Sequence, residues 1–131
     1  PRATITCVDL WLQLLPELYF DHNIALTGKQ DKVSKIKGDS HDSLQELAGS
    51  SFSIVYVDGY HRAAHVLLDA LLAWPLLLDG GLMMFDDYLW ELDLPAAARP
   101  QLAIDLFLDL YGADIELLHK GYMVILRKRG K

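Results

Sequence analysis

Ser53-Ile-Val-Tyr-Val-Asp-Gly-Tyr-His61 places an acid directly after a short apolar run, and Gly80-Gly-Leu-Met-Met-Phe-Asp-Asp-Tyr88 repeats that arrangement. Short apolar runs that contain β-branched or aromatic residues and end in Gly or Asp are typical of buried strands. In an open parallel sheet, ligands bind beyond the carboxyl ends of the strands. The sequence therefore predicts that Asp58, Asp86 and Asp87 meet at one sheet edge, as a site for a divalent cation or for hydroxyl groups.

Apolar runs and helical patterns alternate along the rest of the chain. Strands are predicted at 5–8, 33–37, 52–57 and 82–85, and helices at 10–27, 61–78 and 101–111. The closing segments 115–119 and 122–128 are separated by Lys120-Gly121, which indicates a hairpin. This order predicts an α/β fold in one domain, residues 1–131. Its sheet is expected to be mostly parallel with an antiparallel C-terminal hairpin, and to carry helices on both faces.

Composition excludes several classes of function. The 131 residues carry a net charge of −6, which argues against nucleic acid as a partner. The apolar stretches are too short and too interrupted to span a membrane, so no membrane partner is expected. A single cysteine, Cys7, excludes an internal disulfide and is compatible with a reducing compartment. The expected location is cytoplasmic.

Four segments together resemble the class I S-adenosylmethionine-dependent methyltransferases, most closely the small O-methyltransferase-like families with Asp-Gly-x-His and Asp-Asp-Tyr signatures. They match in order and spacing, and they are Tyr56-Val-Asp-Gly-Tyr-His61, Asp69-Ala-Leu-Leu-Ala-Trp-Pro75, Asp79-Gly-Gly-Leu-Met-Met-Phe-Asp-Asp-Tyr88 and Gly121-Tyr-Met-Val-Ile-Leu-Arg-Lys128. The resemblance implies a Rossmann-like methyltransferase sheet, S-adenosylmethionine as cofactor, and O-methylation of a small-molecule hydroxyl.

The resemblance also assigns residues to roles. Asp9 resembles the acid that binds the cofactor's ribose hydroxyls, and Asp39 and Ser40 resemble the adenine-side contact. Asp58, Asp86 and Asp87 resemble the metal positions of cation-dependent members, where Mg²⁺ holds two substrate oxygens and lowers the pKa of one of them. Asp58 is also counted with the cofactor-binding and catalytic residues. His61 resembles a general base.

One part of the family pattern is not found in this sequence, namely the first strand and its glycine-rich turn. In the family's strand order, 3-2-1-4-5-7-6, that strand is central, so its absence leaves two strand edges bare. Each buried backbone group without a partner costs about 1–3 kcal/mol. Three resolutions are open: the flanking strands pair directly, a second chain supplies a strand in a homo-oligomer, or the sequence is a fragment.

Other readings of the same residues stay open as well. Asp9 and the three later acids are also ordinary turn residues after strands, and His61 could cap the helix that follows it. A non-catalytic methyltransferase-like scaffold that works through oligomerisation or protein association is the main alternative function. A receiver-like phosphoacceptor also gathers acids at strand ends, but its lysine would have to follow a parallel strand, whereas Lys120 lies in the predicted hairpin turn.

Overall fold

A computed structural model gives the fold and describes residues 3–130. It contains six strands and four α-helices in these residues. In chain order they are β1 (Ile5–Asp9), α1 (Leu14–Leu26), β2 (Val33–Lys37), α2 (Ser40–Glu46), β3 (Phe52–Val57), α3 (Ala63–Ala73), β4 (Leu77–Phe85), α4 (Pro100–Leu110), β5 (Ile115–Lys120) and β6 (Val124–Lys128). Short 3₁₀ turns precede β2, β4, α4 and β5. The predicted α/β class is confirmed.

The chain divides into two compact units, residues 1–43 and residues 44–131. In the first unit, β1 and β2 form a parallel pair in register from Ile5 opposite Val33 to Asp9 opposite Lys37. Ion pairs connect α1 to this pair, because Glu17 contacts both Lys35 at 2.8 Å and Lys37 at 2.7 Å. The prediction of one domain over the whole chain stays a prediction.

The second unit holds a four-stranded sheet in the order β3-β4-β6-β5. β3 and β4 are parallel, whereas β6 runs antiparallel to both β4 and β5. The predicted mixed sheet with an antiparallel C-terminal hairpin is therefore confirmed. Within the described residues, β1 pairs only with β2, and β3 pairs only with β4. Each of these two strands thus keeps one unpaired edge, as the sequence predicts for the strands beside the absent one.

Buried apolar residues fix the helices of the second unit on one face of its sheet. Met83, Phe85, Val124 and Leu126 are buried on β4 and β6, and they belong to one core cluster with residues of α3 and α4. Phe107 of α4 is fully buried there, with its ring 5.4 Å from that of Phe85. This packing buries one face of the sheet.

The start of β4 and the end of α3 differ most from the sequence prediction. The segment Asp79–Gly81, expected as a turn, lies inside β4, since the strand continues from Leu77 through a register shift opposite β3. Gly80 makes this irregularity possible with φ +78°, a conformation that few other residues adopt. The helix expected to reach residue 78 ends at Ala73, because Pro75 lies in a 3₁₀ turn that leads directly into the strand.

No helix in residues 3–130 combines the length and the apolar character that a membrane crossing needs. This agrees with the interruptions seen in the apolar stretches of the sequence.

Gly81 provides a test of the packing between β3 and β4. A Cβ at this position would lie 2.8 Å from the carbonyl oxygen of Leu78 and 3.0 Å from that of Ser53, and backbone atoms cannot rotate away. We expect Gly81→Ala to lower the free energy of unfolding by about 1–3 kcal/mol, the usual cost of overpacking. Urea unfolding followed by circular dichroism measures this change.

Gly112→Ala is the matched control, because a Cβ there meets nothing within 4 Å. Equal stability of the two variants would show that the β3–β4 contact is looser than described.

Candidate active site

The parallel pairing of β3 and β4 brings the two acidic clusters together. Val57 is opposite Phe85 at the last paired position, so Asp58 and Asp86 follow on adjacent strands at the same end of the sheet. The backbone N–H of Asp86 donates to the carbonyl of Val57 at 3.1 Å, which continues the ladder by one step. The sequence prediction that Asp58, Asp86 and Asp87 emerge at one edge is in accord with this geometry.

Three side chains in this region are close enough to share a ligand. Asp58, His61 and Asp87 each offer one oxygen or nitrogen atom, and these atoms lie within 4.8 Å of one another. Asp58 is exposed, while His61 and Asp87 are half-buried. His61 reaches the group from the loop before α3, three residues after Asp58.

Asp87 is the best-connected member of the group. Its Oδ2 lies 2.9 Å from Nε2 of His61, and its Oδ1 accepts a hydrogen bond from the Tyr122 hydroxyl at 2.9 Å. Its backbone is in the left-handed region with φ +59°, which is uncommon for a residue other than glycine. Strained backbone of this kind often occurs at functional sites. Both carboxylate oxygens of Asp87 are therefore engaged by protein groups.

Asp86 is oriented differently from its neighbour. Its Oδ2 accepts a hydrogen bond from the Tyr56 hydroxyl, and its Oδ1 accepts one from the backbone N–H of Asp87 at 2.8 Å. Asp86 is consequently outside the group formed by Asp58, His61 and Asp87.

The surroundings of Asp58 disfavour its charged form. Partial desolvation raises the pKa of Asp58, and the nearby charges of Asp86 and Asp87 raise it further, while His61 acts in the opposite direction. The hydrogen bond to Asp86 raises the pKa of Tyr56 to about 12. Hydrogen bonding to Asp87 likewise raises the pKa of Tyr122. Both tyrosines are therefore neutral donors at physiological pH.

An aromatic side chain forms one wall of the site. The ring of Trp90 lies 4.5 Å from the ring of His61, tilted by 44°. Trp90 is held near the acidic pair because its backbone N–H donates to the carbonyl of Asp87 at 3.0 Å. The contact restricts the motion of the imidazole.

The donor atoms fit a single divalent cation. Oxygen and imidazole ligands lie at about 2.0–2.2 Å from Mg²⁺ or Zn²⁺, so ligands on opposite sides of the ion are a little over 4 Å apart. The three ligand atoms lie within 4.8 Å of one another, a separation of the same order. A cation would also reduce the repulsion that raises the pKa of Asp58.

The first unit brings together the residues expected to contact a nucleoside. Asp9 ends β1, and the carbonyl of Asp9 accepts from the N–H of Gly38, directly before Asp39 and Ser40, at 3.0 Å. The side chain of Asp9 is exposed and accepts from the N–H of Trp11 at 2.7 Å. A carboxylate oxygen can accept more than one hydrogen bond, so this arrangement is compatible with binding to a ribose.

Asp39 and Ser40 start α2. The Asp39 carboxylate accepts from the N–H of His41 at 2.9 Å, and the helix begins at Ser40. A shallow hollow of about 300 Å³, lined in part by Asp9, Trp11 and Pro16, lies beside the end of β1. The roles of Asp9, Asp39 and Ser40 stay predictions.

Comparison with known protein families accounts for this arrangement of strands and acids. Residues 2–88, two thirds of the chain, match the family described as Methyltransferase domain. The chain belongs to this family. The class I, S-adenosylmethionine-dependent resemblance seen in the sequence is thereby confirmed. No curated protein sequence matches the chain.

Solved structures show the same fold in other methyltransferases. An O-methyltransferase from Bacillus cereus in complex with SAH has 16% identity and a TM-score of 0.72, over 95% of this chain and 63% of that one. MycE of the mycinamycin biosynthetic pathway, in complex with Mg and SAH, has 19% identity and a TM-score of 0.67, over 96% and 36%. CalS11, a TDP-rhamnose 3′-O-methyltransferase, has 20% identity and a TM-score of 0.68, over 95% and 57%. This methyltransferase domain therefore spans less than two thirds of the length of each of these three proteins.

Sequence analysis of the methyltransferase domain missed three residues of the site. Tyr56 could have been found, since it lies two residues before Asp58 and alternation along a strand puts both on the same face. Tyr122 and Trp90 carry no such signal, because they reach the site from a hairpin turn and from an irregular segment.

Desolvation and the crowding of acids lead to a stability prediction for Asp58. Because its pKa is raised in the folded state, the charged form costs stability above that pKa, and the cost disappears as pH falls below the pKa of the unfolded chain. We therefore expect Asp58→Asn to melt at a higher temperature than the wild type at pH 7, with the gain shrinking as the solution is acidified. The melts are recorded with a chelator so that no cation neutralises the site.

Asp93→Asn serves as the control, since Asp93 is exposed in a turn outside the site. A melting temperature of Asp58→Asn that is equal to or below the wild type at pH 7 would contradict the electrostatic description.

Proposed function

We propose that the protein transfers a methyl group from S-adenosylmethionine to a hydroxyl of a small molecule, with a divalent cation, Mg²⁺ in the simplest case, at the acidic site. Membership of the methyltransferase family supports the donor. The observation that carries the rest is the grouping of Asp58, His61 and Asp87 beyond the ends of two parallel strands. Carboxylates there suit a hard cation, and an adjacent imidazole suits proton transfer from oxygen.

Residues of the first unit are assigned to the cofactor. Asp9 would accept from the ribose hydroxyls, and Asp39 and Ser40 would contact the adenine side. When bound, S-adenosylmethionine supplies a methyl group on a positively charged sulfur. The position of Asp9 at a strand end, next to the loop that carries Asp39, supports this assignment.

The acidic residues of the second unit are assigned to the metal and the methyl acceptor. Asp58 and Asp87 would hold the cation directly, and Asp86 would add a third negative charge while it accepts from Tyr56. A cation held there lowers the pKa of a hydroxyl that binds to it. The MycE structure, which contains Mg and SAH, supports this assignment by likeness of fold.

His61 is assigned as the general base. Its Nε2 faces Asp87, which leaves the other ring nitrogen to receive the hydroxyl proton. The tilted contact with Trp90 keeps the ring in this orientation. General bases of this type contribute about 10²–10⁴-fold to the rate.

Cofactor binding tests the proposal directly. We expect S-adenosylmethionine and S-adenosylhomocysteine to bind, and Asp9→Ala to abolish the heat of binding, because the ribose loses its carboxylate partner. Isothermal titration calorimetry with ligand up to millimolar concentration measures both. Circular dichroism shows whether the variant stays folded, since Asp9 also holds the N–H of Trp11.

Asp31→Ala is the matched control, as Asp31 is an exposed acid elsewhere in the first unit. No heat from the wild type with either ligand would reject the enzymatic proposal. An unchanged affinity of Asp9→Ala would reject the assignment of Asp9 alone.

A second function is favoured by the unpaired edge of β3. The strand pairs only with β4 among the described residues, and its Ile54 side chain is 54% exposed. Open strand edges are sites for pairing with another chain. We propose as the alternative a methyltransferase-like scaffold that forms a homo-oligomer through this edge.

Solution mass separates this alternative from a monomeric enzyme. For a chain of 14.8 kDa, edge pairing predicts at least twice that mass by light scattering, and Ile54→Lys should return the mass to one chain because a charge on an edge opposes pairing. Leu12→Lys is the control, since Leu12 is 84% exposed outside the strands. A wild-type monomer would contradict edge pairing, and so would an oligomer that is unchanged in Ile54→Lys.

A further inference from the structure

Tyr122 connects the β5–β6 turn to the candidate base. We propose that Tyr122 is a positioning residue, whose hydroxyl fixes the carboxylate of Asp87 so that the second oxygen of Asp87 faces His61. The inference deepens the proposed function and rests on it for its catalytic meaning. Its structural part concerns only side chains of the second unit.

Two hydrogen bonds attach the turn to the acidic segment. The Tyr122 hydroxyl donates to Oδ1 of Asp87 at 2.9 Å, and the Tyr122 carbonyl accepts from the N–H of Tyr88 at 2.8 Å. Tyr88 directly follows Asp87, so the two bonds lie on either side of one peptide unit. A single residue of the turn therefore holds both the backbone and the side chain of the acidic segment.

The two oxygens of Asp87 are divided between two partners. With Oδ1 engaged by Tyr122, Oδ2 is directed at Nε2 of His61 at 2.9 Å. The other carboxylate of the pair, Asp86, accepts from Tyr56 and does not join this group. Each of the two adjacent acids is thus held by a different tyrosine.

The contact between Oδ2 of Asp87 and Nε2 of His61 has a chemical consequence for the imidazole. A carboxylate oxygen only accepts, so the ring proton of neutral His61 lies on Nε2 and the lone pair lies on Nδ1. In the proposed reaction the acceptor hydroxyl gives its proton to Nδ1, and its oxygen forms the bond to the methyl carbon. The donor sulfur keeps the electron pair of the bond that breaks. Tyr122 acts on this step only through Asp87.

The test follows the proton on Nε2 of His61 by nuclear magnetic resonance, in protein with ¹⁵N-labelled histidine and without cofactor or metal. The signal is assigned by its loss in His61→Gln. We expect this proton to exchange with water more slowly than that of the exposed His22. In Tyr122→Phe the exchange should be about tenfold faster, the factor that corresponds to the loss of one hydrogen bond to a charged group.

Matched variants test whether Tyr122 acts on His61 through Asp87. Tyr19→Phe, at a tyrosine that is 62% exposed in the first unit, should leave the exchange rate unchanged. Asp87→Asn should accelerate exchange by itself, and adding Tyr122→Phe to it should have no further effect, because the two residues act in series. Tyr122 is 51% exposed, and its substitution by Phe removes only the hydroxyl oxygen, so we expect this variant to fold. Melting temperatures establish that each variant is folded.

Three results would overturn the inference. They are exchange in Tyr122→Phe within twofold of the wild type, wild-type exchange as fast as that of His22, and effects of the single variants that multiply in the double variant. None of these results depends on S-adenosylmethionine. Failure of the cofactor to bind would reject the proposed function and leave the hydrogen-bond result intact.

Discussion

The site depends on the parallel pairing of β3 with β4, which is regular from Ile54 opposite Leu82 to Val57 opposite Phe85. Val57 and Phe85 are opposite each other at the last paired position, and this single alignment places Asp58 beside Asp86. A shift of one residue would turn the side chains of a strand to the other face of the sheet. Buried Met83 and Phe85 prevent such a shift, because they would leave the core that α3 and α4 cover. The apolar core thereby determines the geometry of the charged groups.

Three aspartates in one place are costly unless other groups compensate for their charge. The protein supplies neutral donors from Tyr56 and Tyr122 and an imidazole from His61, but none of the described contacts brings a lysine or arginine to Asp58, Asp86 or Asp87. Elsewhere in the same structure acids are paired with cations, as Asp105 is with Lys120. The difference is consistent with the proposed binding of a cation at the acidic site.

How far the sequence could predict the structure depends on the range of the interactions involved. The acids at the strand ends could be predicted, since strand period and sheet topology are encoded locally and by the family pattern. The irregularity of β4 at Gly80 could not be distinguished from a turn, because a glycine with positive φ occurs both in turns and in irregular strands. The partners of Asp87 could not be predicted either, as Tyr122 is 35 residues away and its approach depends on the hairpin register. The unpaired edges of β1 and β3 could be predicted from the family's strand order, in which both strands neighbour a strand that is not found in this sequence. In the structure, β1 pairs only with β2 and β3 only with β4 among the described residues.

Binding of Mn²⁺, followed by the loss of the free-ion signal in electron paramagnetic resonance, tests most directly whether Asp58 and Asp87 hold a divalent cation. Mn²⁺ takes the carboxylate ligands that suit Mg²⁺ and is visible to this method. We predict one bound ion per chain, lost in Asp87→Asn and retained in Asp93→Asn. A free-ion signal that equals the total Mn²⁺ at millimolar concentration, or binding that survives in Asp87→Asn, would contradict the account.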